Sequence, residues 1–291
     1  MPYTGSGSPR DISFQGWKRI LKNVIKEIGK DNVSIVSAGV AFYAFLAIFP
    51  AIAALVSIYG LAMDPQNLQD QLAGLAEIMP KEAFGILRDQ LEKLGRVSGS
   101  ALGWGMAFGI LISIWSANKG TKSLFTGVGI AYDTPERRGF VPLNSLSLLF
   151  TLGAIILLIL CLGLIIIFPA VVDFLPIPEQ IKTVISWGRW LLIGAVLIWF
   201  LASVYRYGPD RNTPDFRWVF AGAFLATLLW LLTSWGFSFY VKNFGSYGEV
   251  YGSISAVVVL LMWLFITCFT VLLGAELNSE IEKYTWKNAN G

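Results

Sequence analysis

Six long stretches of this chain carry no acidic or basic residue: 33–63, 97–118, 140–172, 190–205, 218–241 and 250–275. A bilayer core is about 30 Å thick, and a helix rising about 1.5 Å per residue needs roughly 20 mostly apolar residues to cross it. Five of the six stretches are that long, and the fourth reaches the length by extending back to Val184, with Arg189 near the headgroups. Hydrocarbon offers no partner to backbone N–H and C=O groups, so such stretches fold as helices. The expected fold class is therefore all-α, a polytopic transmembrane bundle of six spans. Composition agrees: 55% of the 291 residues are hydrophobic and 14% charged, against about 25% charged in soluble domains.

The charges lie between the spans and orient them. Fifteen of the 22 Lys and Arg fall on one side: Arg10, Lys18, Arg19, Lys22, Lys26 and Lys30; Lys119, Lys122, Arg137 and Arg138; Arg206, Arg211 and Arg217; Lys283 and Lys287. The other seven, Lys81, Arg88, Lys93, Arg96, Lys182, Arg189 and Lys242, fall opposite. The positive-inside rule then predicts both termini in the cytoplasm. Residues 1–32 read as a cytoplasmic tail and amphipathic helix, 33–277 as the membrane domain with an exterior helical loop at 64–96, and 278–291 as a cytoplasmic tail. The first thirty residues lack the apolar core of a signal peptide.

Two segments outside the spans carry pattern. Phe14, Trp17, Ile20, Leu21, Val24, Ile25 and Ile28 recur at helical spacing, with Lys18, Arg19, Lys22 and Lys26 on other faces. That pattern suits a helix lying in the membrane interface, or one packed on the protein's own loops. Between 64 and 96, the stripes Leu68, Leu72, Leu75 and Phe84, Leu87, Leu91, Leu94 flank Pro80 and predict a two-helix exterior cap.

Inside the membrane, Gly99, Gly103, Gly105 and Gly109 allow close helix approach in the second span. Pro50 falls mid-way along the first and frees the carbonyl of Leu46, as in the broken helices that line carrier cavities or as in a plain kink. Lys119 and Glu276 stand where the second and sixth uncharged stretches end, and the spacing predicts that both spans stop there. Lys119 with Arg137, Arg138, Arg206, Arg211 and Arg217 either forms a basic vestibule for an anionic head group or satisfies the positive-inside rule alone, while Glu276 either balances that charge or serves helix pairing. Tyr43, Asn118, Tyr247 and Tyr251 complete the binding candidates. The glycine-rich 243–253 segment reads as a tight turn, or as an anion-binding helix start. Cys161 and Cys268 lie in apolar runs and read as small hydrophobes.

The chain contains no histidine, which removes His-ligated metal sites and Ser-His-Asp triads. No Walker, Rossmann or CxxC motif occurs. No catalytic residue, cofactor or metal ligand is expected, and no nucleic-acid partner.

Ala41-Phe42-Tyr43-Ala44-Phe45-Leu46 with Phe49-Pro50, the Tyr132 to Arg138 segment, Tyr205 to Pro209, Gly222-Ala223, Trp230, Tyr240 to Ser253, Trp263 and Gly274-Ala275-Glu276-Leu277-Asn278 together resemble the YihY/virulence factor BrkB family, once labelled ribonuclease BN. Asn118-Lys119-Gly120 stands where the family pattern has Ser-Arg-Gly, which keeps the charge and loses bidentate anion contact. The resemblance implies a six-span protein of a bacterial inner membrane. The expected function is a transporter or flippase-like protein for an amphipathic or anionic substrate, a lipid among them. The alternative is a non-catalytic scaffold or accessory subunit, with protein partners or further copies of the chain. Nuclease chemistry, which usually needs His or clustered carboxylates, is not expected.

Overall fold

Residues 12–62, 99–168, 172, 178–244 and 253–290 are described in a computed structural model of the chain. Every regular element among them is a helix: α1 Phe14–Lys30, α2 Val33–Ala62, α3 Gly99–Ala131, α4 Phe140–Leu162, α5 Glu179–Tyr207, α6 Phe216–Phe244 and α7 Ser253–Asn290. A π-helical segment, Gly163–Ile167, prolongs α4. Among the described residues, four helices are long and apolar enough to cross a membrane: 140–165, 180–207, 216–241 and 257–286. A fifth span exists if α1 and the start of α2, bent by 64° at their junction, count as one. Hydroxyls in these helices turn back on their own backbone, as Ser37 Oγ does to Val33 O (2.6 Å) and Thr151 Oγ1 to Ser147 O (2.8 Å). Polar atoms are thereby satisfied without water.

Several helix ends differ from their sequence expectation. α2 runs unbroken through Pro50. α3 continues twelve residues past Lys119, and α7 fourteen past Glu276, so neither charge ends a helix. Residues 278–290, which the sequence assigns to a tail, continue α7 and bury Asn278, Ser279, Glu280, Ile281 and Glu282 against the protein. The exterior cap at 64–96, Tyr247 and Tyr251 lie outside the described residues.

α1 starts at Ser13, whose Oγ accepts from Gly16 N–H (3.1 Å), and ends at Asp31 and Asn32, the latter left-handed with φ 49°. Asn tolerates that conformation, which turns the chain into α2. Ile20 and Val24 are buried against Trp218 of α6 and Leu277 and Ile281 of α7. Packing on the protein itself therefore claims one face of α1. Phe14, Leu21 and Ile25 form a second, exposed apolar stripe beside the lysines.

The remaining helices gather around α7. It packs on α6, α2, α3 and α1, and α2 lies along α3. α6 and α7 run antiparallel, since Val219 meets Asn278 (2.9 Å to its O), Gly222 meets Gly274, and Trp230 Nε1 donates to Thr267 Oγ1 (3.1 Å). α3 and α7 run parallel: Leu124 joins the Cys268 cluster, and Gly127 faces Leu272. The core of Phe125, Val128, Ala202, Tyr205, Val219, Ala223, Leu272 and Ala275 sits near the end of the bundle that holds α1 and the last turns of α7. α4 and α5 lie at the edge, with most of their apolar side chains exposed, which suits lipid contact.

The tightest contact is the crossing of α6 and α7. A Cβ on Gly222 would stand 2.0 Å from Gly274 O, and one on Gly274 2.6 Å from Gly222 O and from Tyr205 Oη. No side chain fits there, so the glycines let two backbones touch. Gly222→Val or Gly274→Val is expected to cost at least about 1–3 kcal/mol through overpacking. Thermal unfolding of purified protein reads this. Gly194→Ala, where a Cβ meets nothing within 4 Å, is the control and should be neutral or up to about 1 kcal/mol stabilising.

Candidate functional site

Two regions concentrate polar chemistry: a ring of charge at the α1/α7 end, and a groove between α3 and α4. The first depends on Asn278, one turn beyond Gly274. Its Oδ1 accepts from Gly222 N–H (2.7 Å) and its Nδ2 donates to Val219 O (2.9 Å). Tyr205 Oη donates to Val271 O (2.6 Å), so α5 is tied to the same turns of α7. These bonds replace water for groups buried at the crossing.

Outward from Asn278, Arg211 of the α5–α6 loop grips Glu282 of α7 with both guanidinium nitrogens (2.5 and 3.2 Å). Its guanidinium stacks 3.8 Å from the Tyr132 ring centroid. This ion pair is buried, so each charge depends on the other. Beside it, Lys283 Nζ bridges Asp133 (2.8 Å) and Glu280 (3.1 Å), and Lys30 Nζ joins Glu27 (2.6 Å) and reaches Asp133 (3.8 Å). Asp133 thus links α1, α3 and α7.

Asp133 occupies an unusual place. α3 ends in a six-to-one turn, with Thr134 N–H donating to Gly129 O (2.8 Å) and Asp133 N–H to Ile130 O (2.9 Å). The residue between must be left-handed, a position that favours glycine, and Asp133 takes it with φ 51°. A carboxylate there, rather than glycine, provides the hub for both lysines. The Lys283 hydrogen bond is the main reason its carboxyl is held below the ordinary aspartate range. Arg138 caps α5, donating to Tyr207 O (3.2 Å) and Gly208 O (2.5 Å) while paired with Glu136. Arg137 donates its backbone N–H to Asp210 Oδ2 (3.0 Å).

Glu276 stands apart in this region. It is fully buried, and neither carboxylate oxygen has a hydrogen-bond partner.

The groove has a volume of about 660 Å³ and is open along one side. α3 contributes Leu111, Ile112, Ile114, Trp115 and Asn118, and α4 contributes Asn144, Ser145 and Leu148. Its lining is apolar at Leu111, Ile112 and Leu148 and polar where Asn118 meets Asn144. A polar seam continues behind it: Lys122 Nζ donates to Asn144 Oδ1, and the hydroxyls of Thr121 and Thr151 lie 2.8 Å apart. The Asn118 amide oxygen is buried without a partner, and Lys119 Nζ rests 3.8 Å from the Trp115 ring centroid. Among the described residues no group of three or more Cys, Asp or Glu could hold a metal.

A family model described as Virulence factor BrkB matches residues 24–290. The chain belongs to the BrkB virulence factor family. It is 27% identical over 253 residues to the putative ribonuclease-like protein YfkH of Bacillus subtilis, covering 85% of this chain and 89% of that protein. It is 34% identical over 110 residues to the UPF0761 membrane protein XAC0937 of Xanthomonas axonopodis pv. citri. That match covers 34% of this chain and 25% of the Xanthomonas protein, and the UPF0761 membrane protein XOO3417 of Xanthomonas oryzae pv. oryzae matches to the same extent. No solved structure matches the chain.

In this BrkB-family chain the residues singled out from sequence divide by place. Asn118 and Lys119 border the groove. Arg138 and Arg211 hold the bundle end together, each with a carboxylate of its own. Tyr43 is half-exposed on α2, its backbone facing Gly120 of α3. Pro50 lies in α2. Lys119 and Glu276 are not brought together: Leu272 is level with Gly127, which puts Glu276 near Ala131, roughly 18 Å along α3 from Lys119. Asn278, Asp133 and Glu282 were not singled out. A polar residue one turn after Gly274 was the available signal for Asn278.

Arg211→Ala strands a buried Glu282 carboxylate and is expected to cost about 3–5 kcal/mol. The double change Arg211→Met with Glu282→Leu should cost less than Arg211→Ala, as thermal unfolding would show. Asp133→Asn keeps the left-handed turn and removes the charge. Because the folded carboxyl titrates below its ordinary range, its ion pairs stabilise above that range and are lost as pH falls through the lowered value. The variant should lose up to about 1 kcal/mol near neutral pH, since Asp133 is half-exposed, and should be less sensitive to acid than the parent.

Proposed function

We propose that this protein binds an amphipathic lipid in the α3–α4 groove and moves it between membrane leaflets, without enzymatic chemistry. The observation that carries this reading is the groove itself. It is apolar along Leu111, Ile112 and Leu148, and it holds the buried, unpartnered amide oxygen of Asn118, next in sequence to Lys119 and one turn before Lys122. An acyl chain fits the first part. A headgroup with hydrogen-bond donors and a phosphate fits the second, since the amide oxygen accepts and the ammonium groups attract the anion.

The open side faces outward between two helices, one of them the loosely packed α4, so a lipid enters laterally. Membership of a family whose relatives are named membrane proteins agrees with a lipid-facing role. The ribonuclease-like name of the Bacillus relative is not carried over, because the chain has no histidine to act as acid, base or ligand. We place the protein in a bacterial inner membrane, with six spans and with the α1/α7 end in the cytoplasm, following its Lys and Arg bias. Asn118 and Lys119 are the binding residues on this reading.

A benzophenone amino acid at Ile112 should capture phospholipid in native membranes, as mass spectrometry of the adduct would show. Leu148→Trp narrows the groove and should lower capture roughly tenfold, the effect of about 1.4 kcal/mol. In vesicles, the same variant should slow transbilayer movement of a fluorescent phospholipid. Capture of a second polypeptide in place of lipid would support a scaffold and overturn the lipid reading.

A further inference from the structure

Glu276 is an acid in α7 that the lipid groove does not use. It lies one turn beyond Leu272, whose methyl groups face Gly127 of α3 beside Val36 of α2. Its side chain is therefore enclosed where the first turns of α2, the last turns of α3 and α7 converge, close to the 64° bend between α1 and α2.

The charges that act most on it come from α1, the bend, α3 and α7. α1 contributes Glu27, the bend Asp31, the end of α3 Asp133, and α7 Lys283. α2 has no acid or base between 33 and 48 other than Tyr43, half-exposed and more than two turns away; α6 offers Arg217 in its first turn, exposed and paired with Asp215 (3.3 Å), and then nothing between 218 and 241 beyond Tyr240, far from this end. The two cations are already engaged, Lys30 with Glu27 and Asp133, and Lys283 with Asp133 and Glu280. An ionised Glu276 would thus sit among Asp31, Glu27 and Asp133 with no counter-ion of its own and with no donor to either oxygen. Desolvating a carboxylate without a partner costs several kcal/mol, and this cost must be removed. A metal ion does not remove it, because no set of three such ligands surrounds the site among the described residues. A proton does.

We propose that Glu276 is a proton-binding site, protonated while the bundle end is closed, whose deprotonation loosens the α1–α2 bend from α3 and α7. The step is a single proton transfer. The carboxyl O–H bond breaks, its electron pair stays on oxygen, and the proton passes to water at the α1/α7 end. The charge left behind repels Asp31, Glu27 and Asp133 and draws water in, which separates the elements that carry them. The site stands without the lipid groove; only a coupling of proton release to lipid movement would rest on that reading.

Infrared pH-difference spectra of the full-length protein in nanodiscs test this without a lipid substrate. The parent should show a protonated-carboxyl C=O band at neutral pH that vanishes on alkalinisation, and Glu276→Gln should lack it. Identical bands in both proteins would overturn the proposal. Asp31→Asn, a change in the bend, guards against misfolding of the first variant. Removing that neighbouring charge should move the disappearance of the band to lower pH, and an unmoved band would overturn the proposal. Hydrogen exchange of amides 27–37 should rise over the same pH interval in the parent, and flat exchange would refute the loosening. Failure of lipid capture at Ile112 leaves all three measurements unaffected, so the two ideas fail separately.

Discussion

The structure depends on the contact of two backbones at Gly222 and Gly274. Because no side chain stands between them, α6 and α7 approach closely enough for Asn278 to reach the N–H of Gly222 and the O of Val219 at once. Small residues next to the crossing, Ala223, Ala226 and Ala275, are fully buried and continue the seam. In lipid, where apolar surface gains little from meeting apolar surface, close packing and buried hydrogen bonds drive helix association. Tyr205 then docks α5 on α7, and Arg211 fixes the loop between α5 and α6 to Glu282. The ionic ring at this end follows from that placement, since Glu280, Glu282 and Lys283 are carried by the turns just after Asn278.

The sequence revealed the helices more clearly than their ends. Uncharged runs located the six long helices among the described residues, α2 to α7, because a long apolar run satisfies its backbone polar groups most simply as a helix. The sequence did not show that α3 runs on past Lys119 and α7 past Glu276. A charge at the edge of an apolar run marks where the uncharged sequence stops, not where the helix stops. Lys119 stays in its helix by lying across Trp115, and Glu276 stays by being enclosed. The α1 pattern contained two apolar stripes at once. The one through Ile20 and Val24 packs on α6 and α7, and the one through Phe14, Leu21 and Ile25 remains exposed. Spacing alone left interface and self-packing as alternatives, and did not show that the pattern holds two faces.

The polar sites were harder to read. Arg211 and Arg138 were legible as cytoplasmic-type bases, but their partners lie 71 residues away at Glu282 and two residues away at Glu136. An arginine with a near-ideal carboxylate is structural, and no local pattern distinguishes it from one awaiting an anionic ligand. Asp133 was hidden more deeply, because its importance comes from holding a left-handed turn that glycine would hold more cheaply. Asn118 was legible as a candidate, but the groove that gives it meaning arises only from how α4 crosses α3.

The division between a tight end and a loose edge bears on movement. α7, about 57 Å long at 1.5 Å per residue, carries the crossing, the ionic ring and the surface that receives α1 on one helix. α4 shares none of these ties. It touches α3 through a polar seam of Thr121, Thr151, Lys122 and Asn144 and through Phe150, whose ring meets Phe125 of α3 and Phe200 of α5, and otherwise makes little contact with α5. Hydrogen bonds between side chains exchange readily for bonds to water or to a headgroup, whereas interlocked glycine backbones do not. On the proposed lipid reading, the groove widens by displacement of α4 while α6 and α7 stay joined. Glu276 lies on the rigid side, at the junction with α1 and α2, so its protonation acts on a different joint. The two joints share α3, whose final turns face Glu276 and whose middle lines the groove.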